Sequence, residues 1–249
     1  MTTLLEVDNL SKQFRGLRAV SNVSFSVPEG AIVALIGPNG AGKTTTFNLI
    51  AGVMPPNEGE VRLAGRRLTG LRPDQVCAAG VGRTFQLVKP FGDLSVEDNV
   101  LVGALHRRPR IADARRHAVQ VLELLELGPK RHQIARGLTL PERKRLEVAR
   151  ALATEPRILL LDEVMAGLRP TETDRLVEVL RDLNRDTGMT ILLIEHVMRA
   201  VMALSSRVVV LDHGVRISEG APAEVVADPK VIEVYLGSAL ESGEEGSGP

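Results

Sequence analysis

Residues 37–45 combine glycines, a lysine and hydroxyl side chains in the order Gly-Pro-Asn-Gly-Ala-Gly-Lys-Thr-Thr, which matches the Walker A pattern. The glycines let successive backbone N–H groups point at one anion, and the N-terminus of a following helix adds positive potential. In this pattern Lys43 reaches the β- and γ-phosphates of a nucleotide, where its charge also assists catalysis, and the Thr44 hydroxyl ligates Mg²⁺. The predicted nucleotide-binding residues are Gly37, Pro38, Asn39, Gly40, Ala41, Gly42, Lys43, Thr44 and Thr45.

The sequence on either side of this loop supplies the elements that a phosphate-binding loop requires. Residues 32–36 form a continuous apolar run, which is typical of a strand buried on both faces. Residues 44–51 predict a helix that begins directly after the glycines. A simple glycine turn needs neither element, so the setting favours a nucleoside triphosphate site.

A second apolar run, residues 158–161, ends in the two carboxylates Asp162 and Glu163. Asp162 is predicted to hold Mg²⁺ directly or through water, and Glu163 to polarise the attacking water as a general base. Taken alone the pattern is weak, because many strands end in acidic residues. Downstream of a phosphate-binding loop it indicates hydrolysis of the bound nucleotide.

Composition limits the possible partners. The 249 residues contain 31 basic and 31 acidic side chains and only 2% aromatics, so neither net charge nor base-stacking platforms favour a nucleic-acid partner. The single Cys77 excludes an internal disulfide. No uncharged apolar run is long enough to span a bilayer, so a membrane role is expected to depend on a partner.

The order of predicted elements indicates an α/β fold with a mostly parallel sheet, in which short early strands form an antiparallel β subdomain. Helical spacing dominates residues 95–153, so we expect a helical subdomain inserted at about 90–155. Ser95 is the predicted cap of its first helix. We expect one domain over residues 1–237, followed by a disordered Gly/Ser/Glu-rich tail at 238–249.

Together these elements resemble the ATP-binding cassette (ABC) ATPases, a P-loop NTPase family, over residues 4 to about 237. Gln86, in Arg-Thr-Phe-Gln, resembles the family's Q-loop residue, which implies roles in catalysis and as an Mg²⁺ ligand. His196, after the apolar run 191–194, resembles the catalytic switch histidine, although a local structural role is the alternative. Phe14 lies where the family stacks an aromatic ring on adenine; otherwise it is an edge-strand core residue.

The resemblance implies ATP and Mg²⁺ as cofactors and hydrolysis of ATP coupled to transport. It implies a second ABC ATPase subunit, two membrane permease subunits and, indirectly, a substrate-binding protein, at the cytoplasmic face of the membrane. Residues 87–94 are expected to meet the permeases, or else to pack against the helical insert.

Local motifs at 83–86, 195–198 and 231–237 resemble the larger ATPase of branched-chain amino acid importers. They imply import of branched-chain amino acids or related small polar solutes. A lipopolysaccharide-type exporter ATPase and a regulatory ABC ATPase without transport remain alternatives. DNA-repair ATPases are disfavoured, because the interval between the two nucleotide motifs is too short for coiled-coil arms.

One motif departs from the family pattern. Where the family has Leu-Ser-Gly-Gly-Gln, residues 138–142 read Leu-Thr-Leu-Pro-Glu. Thr139 keeps a hydroxyl for a phosphate bound by the opposite subunit, but Pro141 has no N–H to donate and Glu142 brings a charge. We expect weakened function in trans and therefore a heterodimer, with a homodimer possible. Alternatively, Pro141 simply starts the helix and a neighbouring donor compensates.

Overall fold

The computed structural model describes residues 2–84 and 89–241, and within them the strands form two sheets. The strands are β1 (Thr3–Phe14), β2 (Leu17–Pro28), β3 (Ile32–Ile36), β4 (Glu58–Leu63), β5 (Arg66–Arg67), β6 (Val81–Arg83), β7 (Ile158–Asp162), β8 (Thr190–Ile194), β9 (Arg207–Asp212) and β10 (Val215–Gly220). The helices are α1 (Lys43–Ile50), α2 (Pro73–Ala79), α3 (Val96–Ala104), α4 (Ile111–Leu124), α5 (Leu140–Leu152), α6 (Pro170–Thr187), α7 (Met198–Leu204), α8 (Pro222–Val226) and α9 (Pro229–Glu241).

The larger sheet has the order β10-β9-β3-β8-β7-β6, and its pairs are parallel except for the antiparallel β9–β10 pair. Every residue of β3, β7 and β8 is buried, as their continuous apolar sequences predict. Parallel strands end at the same edge of a sheet. The segments that follow β3, β7 and β8 therefore lie side by side, which brings the two predicted nucleotide motifs together.

The smaller sheet is antiparallel, with the order β2-β1-β4-β5. Side chains of β3 alternate between two cores: Val33 and Leu35 pack with the small sheet and α1, whereas Ala34 packs with the helices. The mixed α/β architecture with an antiparallel subdomain confirms the predicted fold class.

The strands β1 and β2 extend beyond the short apolar runs, 4–7 and 20–27, that marked them in the sequence. Their outer residues are paired in register as far as Phe14 with Leu17, so backbone hydrogen bonds continue the ladder where the apolar alternation stops. Sequence periodicity alone did not predict this extension.

Helices α3, α4 and α5 follow one another between β6 and β7, the interval in which we expected the inserted subdomain. Ser95 caps α3 as predicted, because its Oγ accepts the Asp98 N–H at 3.0 Å. At the other end of the chain, α9 continues to Glu241, past the expected start of the tail at 238. None of the helices in residues 2–84 and 89–241 is long and apolar enough to cross a bilayer.

Candidate nucleotide-binding site

The loop between β3 and α1 depends on glycine at close backbone contacts. Gly42 precedes α1 with a φ of 95°, in the left-handed region, and a Cβ there would lie 2.4 Å from the Ala19 carbonyl oxygen. A Cβ on Gly37 would lie 2.1 Å from the Leu211 carbonyl oxygen. Both distances are far below van der Waals contact, so the loop conformation excludes any side chain at these positions.

Lys43 is held over this loop. Its ammonium Nζ donates to the carbonyl oxygens of Gly37 and Pro38 at 2.7 and 2.8 Å. Burial lowers the Lys43 pKa, and the nearby Glu163 and Asp162 carboxylates oppose that shift. The first turn of α1 contains no acidic residue, so the N–H groups at the start of the helix add to the positive potential of the lysine.

The loop and the predicted general base face the same cavity, which has a volume of about 270 Å³. It is lined by Ala19, Asn39, Gly40, Ala41, Gly42, Lys43, Thr44, Thr45 and Glu163. The structure thus brings together the predicted phosphate ligands and the carboxylate predicted to polarise water. Ala19, on β2, is a wall of the site that the sequence did not indicate.

Asp162 ends β7 with 1% of its surface exposed. Its Oδ2 accepts from Arg83 Nη2 at 3.1 Å, whereas Oδ1 is buried and receives no hydrogen bond from the described residues. Burial raises the Asp162 pKa, and the Arg83 guanidinium opposes that shift. A buried carboxylate oxygen without a protein donor suits a cation.

The residues present fit Mg²⁺. Magnesium in nucleotide sites is held by one or two protein oxygens plus phosphate and water. Thr44 lines the cavity with an exposed side chain, and Asp162 supplies the unpaired oxygen. Within the described part of the chain no cluster of three His, Cys, Asp or Glu side chains forms an all-protein metal site.

Arg83 is a site residue that sequence reasoning missed. Besides Asp162, it donates to Asn48 Oδ1 at 2.7 Å, and its guanidinium lies 6.0 Å from the centroid of the Phe47 ring. It therefore ties β6 and α1 to the end of β7. The only signal in the sequence was its place three residues before Gln86 in the Arg-Thr-Phe-Gln motif.

Glu163 adopts a left-handed conformation, with a φ of 49°. Its N–H donates to the Ile194 carbonyl at 3.0 Å, and its own carbonyl accepts from Lys144 Nζ at 2.9 Å. A non-glycine residue in this region is uncommon and needs support from its surroundings. Two hydrogen bonds at its peptide groups supply that support and fix where its side chain leaves the backbone.

The structure describes two further predicted site residues, His196 and Phe14. His196 is exposed and follows β8, whose last residue Ile194 pairs with Asp162. Phe14 ends β1 with 42% of its surface exposed and Lys12 Nζ 5.5 Å from its ring centroid, which favours a stacking surface over a core position. Gln86 lies outside the described residues.

Residues 138–142, the loop before α5 that differs from the family pattern, are ordered by a glutamate within the loop. Glu142 Oε2 accepts the Thr139 N–H at 2.9 Å, and Oε1 forms an ion pair with Lys130. Burial acts to raise the Glu142 pKa, but these two partners outweigh it and lower the pKa. The Glu142 carboxylate therefore bonds within its own loop, and Lys130 neutralises its charge. Thr139 is exposed, and Pro141 occupies the first turn of α5.

Known protein families account for most of the chain. Residues 20–166 match the family model described as ABC transporter. Residues 215–241 match a model described as branched-chain amino acid ATP-binding cassette transporter, which covers β10, α8 and α9.

Several curated proteins are similar over nearly their full length. BraF of Pseudomonas aeruginosa, a high-affinity branched-chain amino acid transport ATP-binding protein, is 39% identical, covering 95% of this chain and 98% of BraF. LivG of Salmonella typhimurium, described in the same words, is 41% identical with the same coverage. The lipopolysaccharide export system ATP-binding protein LptB of Acidithiobacillus ferridurans is 36% identical, covering 97% of this chain and 100% of LptB.

A solved structure supports the same fold. The ADP conformation of MJ1267, an ATP-binding cassette of an ABC transporter, is similar with a TM-score of 0.87 and 30% identity. The match covers 95% of this chain and 100% of that one.

Proposed function

The chain belongs to the ABC transporter family as an ATP-binding subunit that hydrolyses ATP, and we propose that it powers an importer of branched-chain amino acids or related small polar solutes. The observation that best supports an ATPase site is that the phosphate-binding loop and Glu163 line the same cavity. The choice of solute is supported by the likeness to LivG and BraF and by the match at residues 215–241.

In the proposed mechanism, backbone N–H groups of residues 39–45 and the Lys43 ammonium bind the β- and γ-phosphates of ATP, with Phe14 beneath the adenine. Thr44 and Asp162, with Gln86, hold Mg²⁺, which when bound neutralises charge on the phosphates. Glu163 accepts a proton from the attacking water as general base.

The exposed His196 contacts the γ-phosphate from the adjacent strand end. Catalysis then comes mainly from positioning and from electrostatic stabilisation of the transferred phosphoryl group.

We further propose a head-to-tail dimer with a different ABC ATPase. In such a dimer, each ATP site is completed by the loop of the opposite subunit that corresponds to residues 138–142. In this chain Pro141 lacks the N–H that a glycine would supply there. Losing one hydrogen bond to a charged group costs about 1.5–3 kcal/mol, or roughly ten- to a hundredfold in rate if it forms fully in the transition state. Thr139 retains a hydroxyl, so the loop contributes in trans but weakly.

The permease subunits are proposed to dock at a groove of about 300 Å³ lined by α2, β6, α3, α5 and the segment that follows α1. Val53 and Val102 line it, about half exposed, and Phe91 is also exposed under the Arg150 guanidinium at 4.7 Å. Exposed apolar side chains around a cleft suit a partner's amphipathic helix. In this proposal the chain binds peripherally, at the cytoplasmic face of the membrane.

A lipopolysaccharide-type exporter is the second candidate, because LptB is similar over the whole chain. Uptake of labelled leucine, compared between cells carrying the native chain and cells carrying Glu163→Gln, separates the two. The importer predicts loss of leucine uptake and co-purification of two permeases, a second ATPase and a binding protein. Unchanged leucine uptake together with an altered cell-surface glycolipid would support the exporter instead.

A further inference from the structure

A buried carboxylate lies next to the switch histidine but outside the nucleotide cavity. Glu195 follows β8 directly and is 1% exposed. On β8, Ile191 and Leu193 pack with the helices, whereas Leu192 and Ile194 pack on the α1 side. Glu195 continues the alternation of the first pair. It therefore belongs to the helical face of the sheet.

Glu195 holds the backbone of the segment after the general base. Its Oε1 accepts the Met165 N–H at 2.9 Å, and Met165 is itself buried. Its Oε2 is also buried, and no described residue donates to it. An ionisable group in such a place costs free energy, so its retention calls for a role beyond filling space.

A lysine of α5 bonds to the same turn as Glu195. Lys144 is 5% exposed, and its Nζ donates to the Glu163 carbonyl at 2.9 Å. Burial lowers the Lys144 pKa, and the nearby Glu195 carboxylate opposes that shift. Two oppositely charged side chains from two elements therefore fix consecutive parts of one strained turn, residues 163–165.

We propose that Glu195 is a positioning residue for ATP hydrolysis, acting with Lys144 to hold the turn that aims the Glu163 side chain. The inference rests on the proposed role of Glu163 as general base.

Glu195→Leu and Glu195→Gln test the proposal by steady-state ATP hydrolysis in the assembled transporter. Leucine cannot accept the Met165 N–H, so kcat falls about tenfold or more while KM for ATP stays within twofold. Glutamine keeps an acceptor oxygen and restores kcat to within about threefold of the native value. Glu97→Gln is the control: this buried carboxylate of α3 pairs with Arg115 and Arg131 rather than with the turn, and its replacement leaves both constants unchanged.

Lys144→Met provides a second variant if the leucine protein does not fold, and it too lowers kcat without raising KM. A native kcat in folded Glu195→Leu or in Lys144→Met overturns the proposal, as does a loss that glutamine fails to restore. These outcomes differ from failure of the proposed function, in which Glu163→Gln itself would retain hydrolysis or leucine uptake.

Discussion

The contacts and pKa values of single residues in the site depend on how deeply they are buried and on which groups face them. Asp162 is buried against Arg83 with one oxygen left unpaired, whereas Glu163, the next residue, turns into the cavity through a left-handed backbone. The two adjacent carboxylates thereby have different surroundings, which suit the roles proposed for them, Asp162 as a cation ligand and Glu163 as a base. Glu195 is the third carboxylate of this group, and burial raises its pKa to about 7.

The Glu195 pKa predicts a pH dependence of stability. Burial raises it, Glu163 raises it further, and Lys144 with the Met165 and His196 N–H groups opposes the shift. The folded state therefore binds more protons than the unfolded state between the unfolded value of 4.5 and about 7, and the associated stability is lost as pH rises through this window. Relative to Glu195→Gln, the native chain should lose on the order of 3 kcal/mol of unfolding free energy between pH 5 and 8.

Urea unfolding of both proteins across this range measures the difference. Parallel stability curves for the native chain and Glu195→Gln would show that Glu195 does not titrate in the folded protein within the window.

The residues found from sequence and those missed differ in one physical respect. Lys43, Asp162 and Glu163 belong to short motifs whose chemistry is set by local order along the chain. Glu195 and Lys144 bond to the same turn, residues 163–165, only when the end of β8 and helix α5 pack against it. Local sequence patterns do not indicate which distant residues bond to the same turn, so only the folded structure identifies the pair.

At the scale of elements, the start of α5 decides what this chain offers to a neighbouring subunit. The sequence predicted a helix from Pro141, and the helix begins at Leu140. It did not predict that Glu142 bonds back to Thr139 and pairs with Lys130. The charge expected from the sequence to repel a phosphate is thus neutralised by Lys130, which leaves the missing Pro141 N–H as the basis of the proposed weak function in trans.

Restoring that donor should raise turnover at the site completed by this loop. Replacing Leu140, Pro141 and Glu142 together by Gly, Gly and Gln supplies the N–H groups, and the expected gain at that site is about tenfold. The assay is ATP turnover of the assembled complex in which this chain also carries Glu163→Gln, so that only the other site reports. Glu142→Gln alone is the control, because it leaves Pro141 in place, and an equal gain from it would contradict the assigned role of the proline.

For the whole molecule, the order β3-β8-β7 is what assembles the site from segments far apart in the chain. Alternating strands and helices in the sequence predicted the parallel sheet, whereas the meeting of the ends of β3, β7 and β8 became visible only in the sheet order. The lengths and registers of β1 and β2 were not predictable in the same way, because their outer residues are held by backbone pairing rather than by apolar spacing. The grouping of the predicted site residues and the departure of residues 138–142 from the family pattern together support the proposal that the chain is one half of an unequal pair.

The most direct measurement compares ATP turnover of the assembled transporter after Glu163→Gln in this chain and after the equivalent change in the partner ATPase. If the pair is unequal, Glu163→Gln removes most of the turnover, whereas the partner's substitution removes little. Equal losses from the two substitutions would contradict this account.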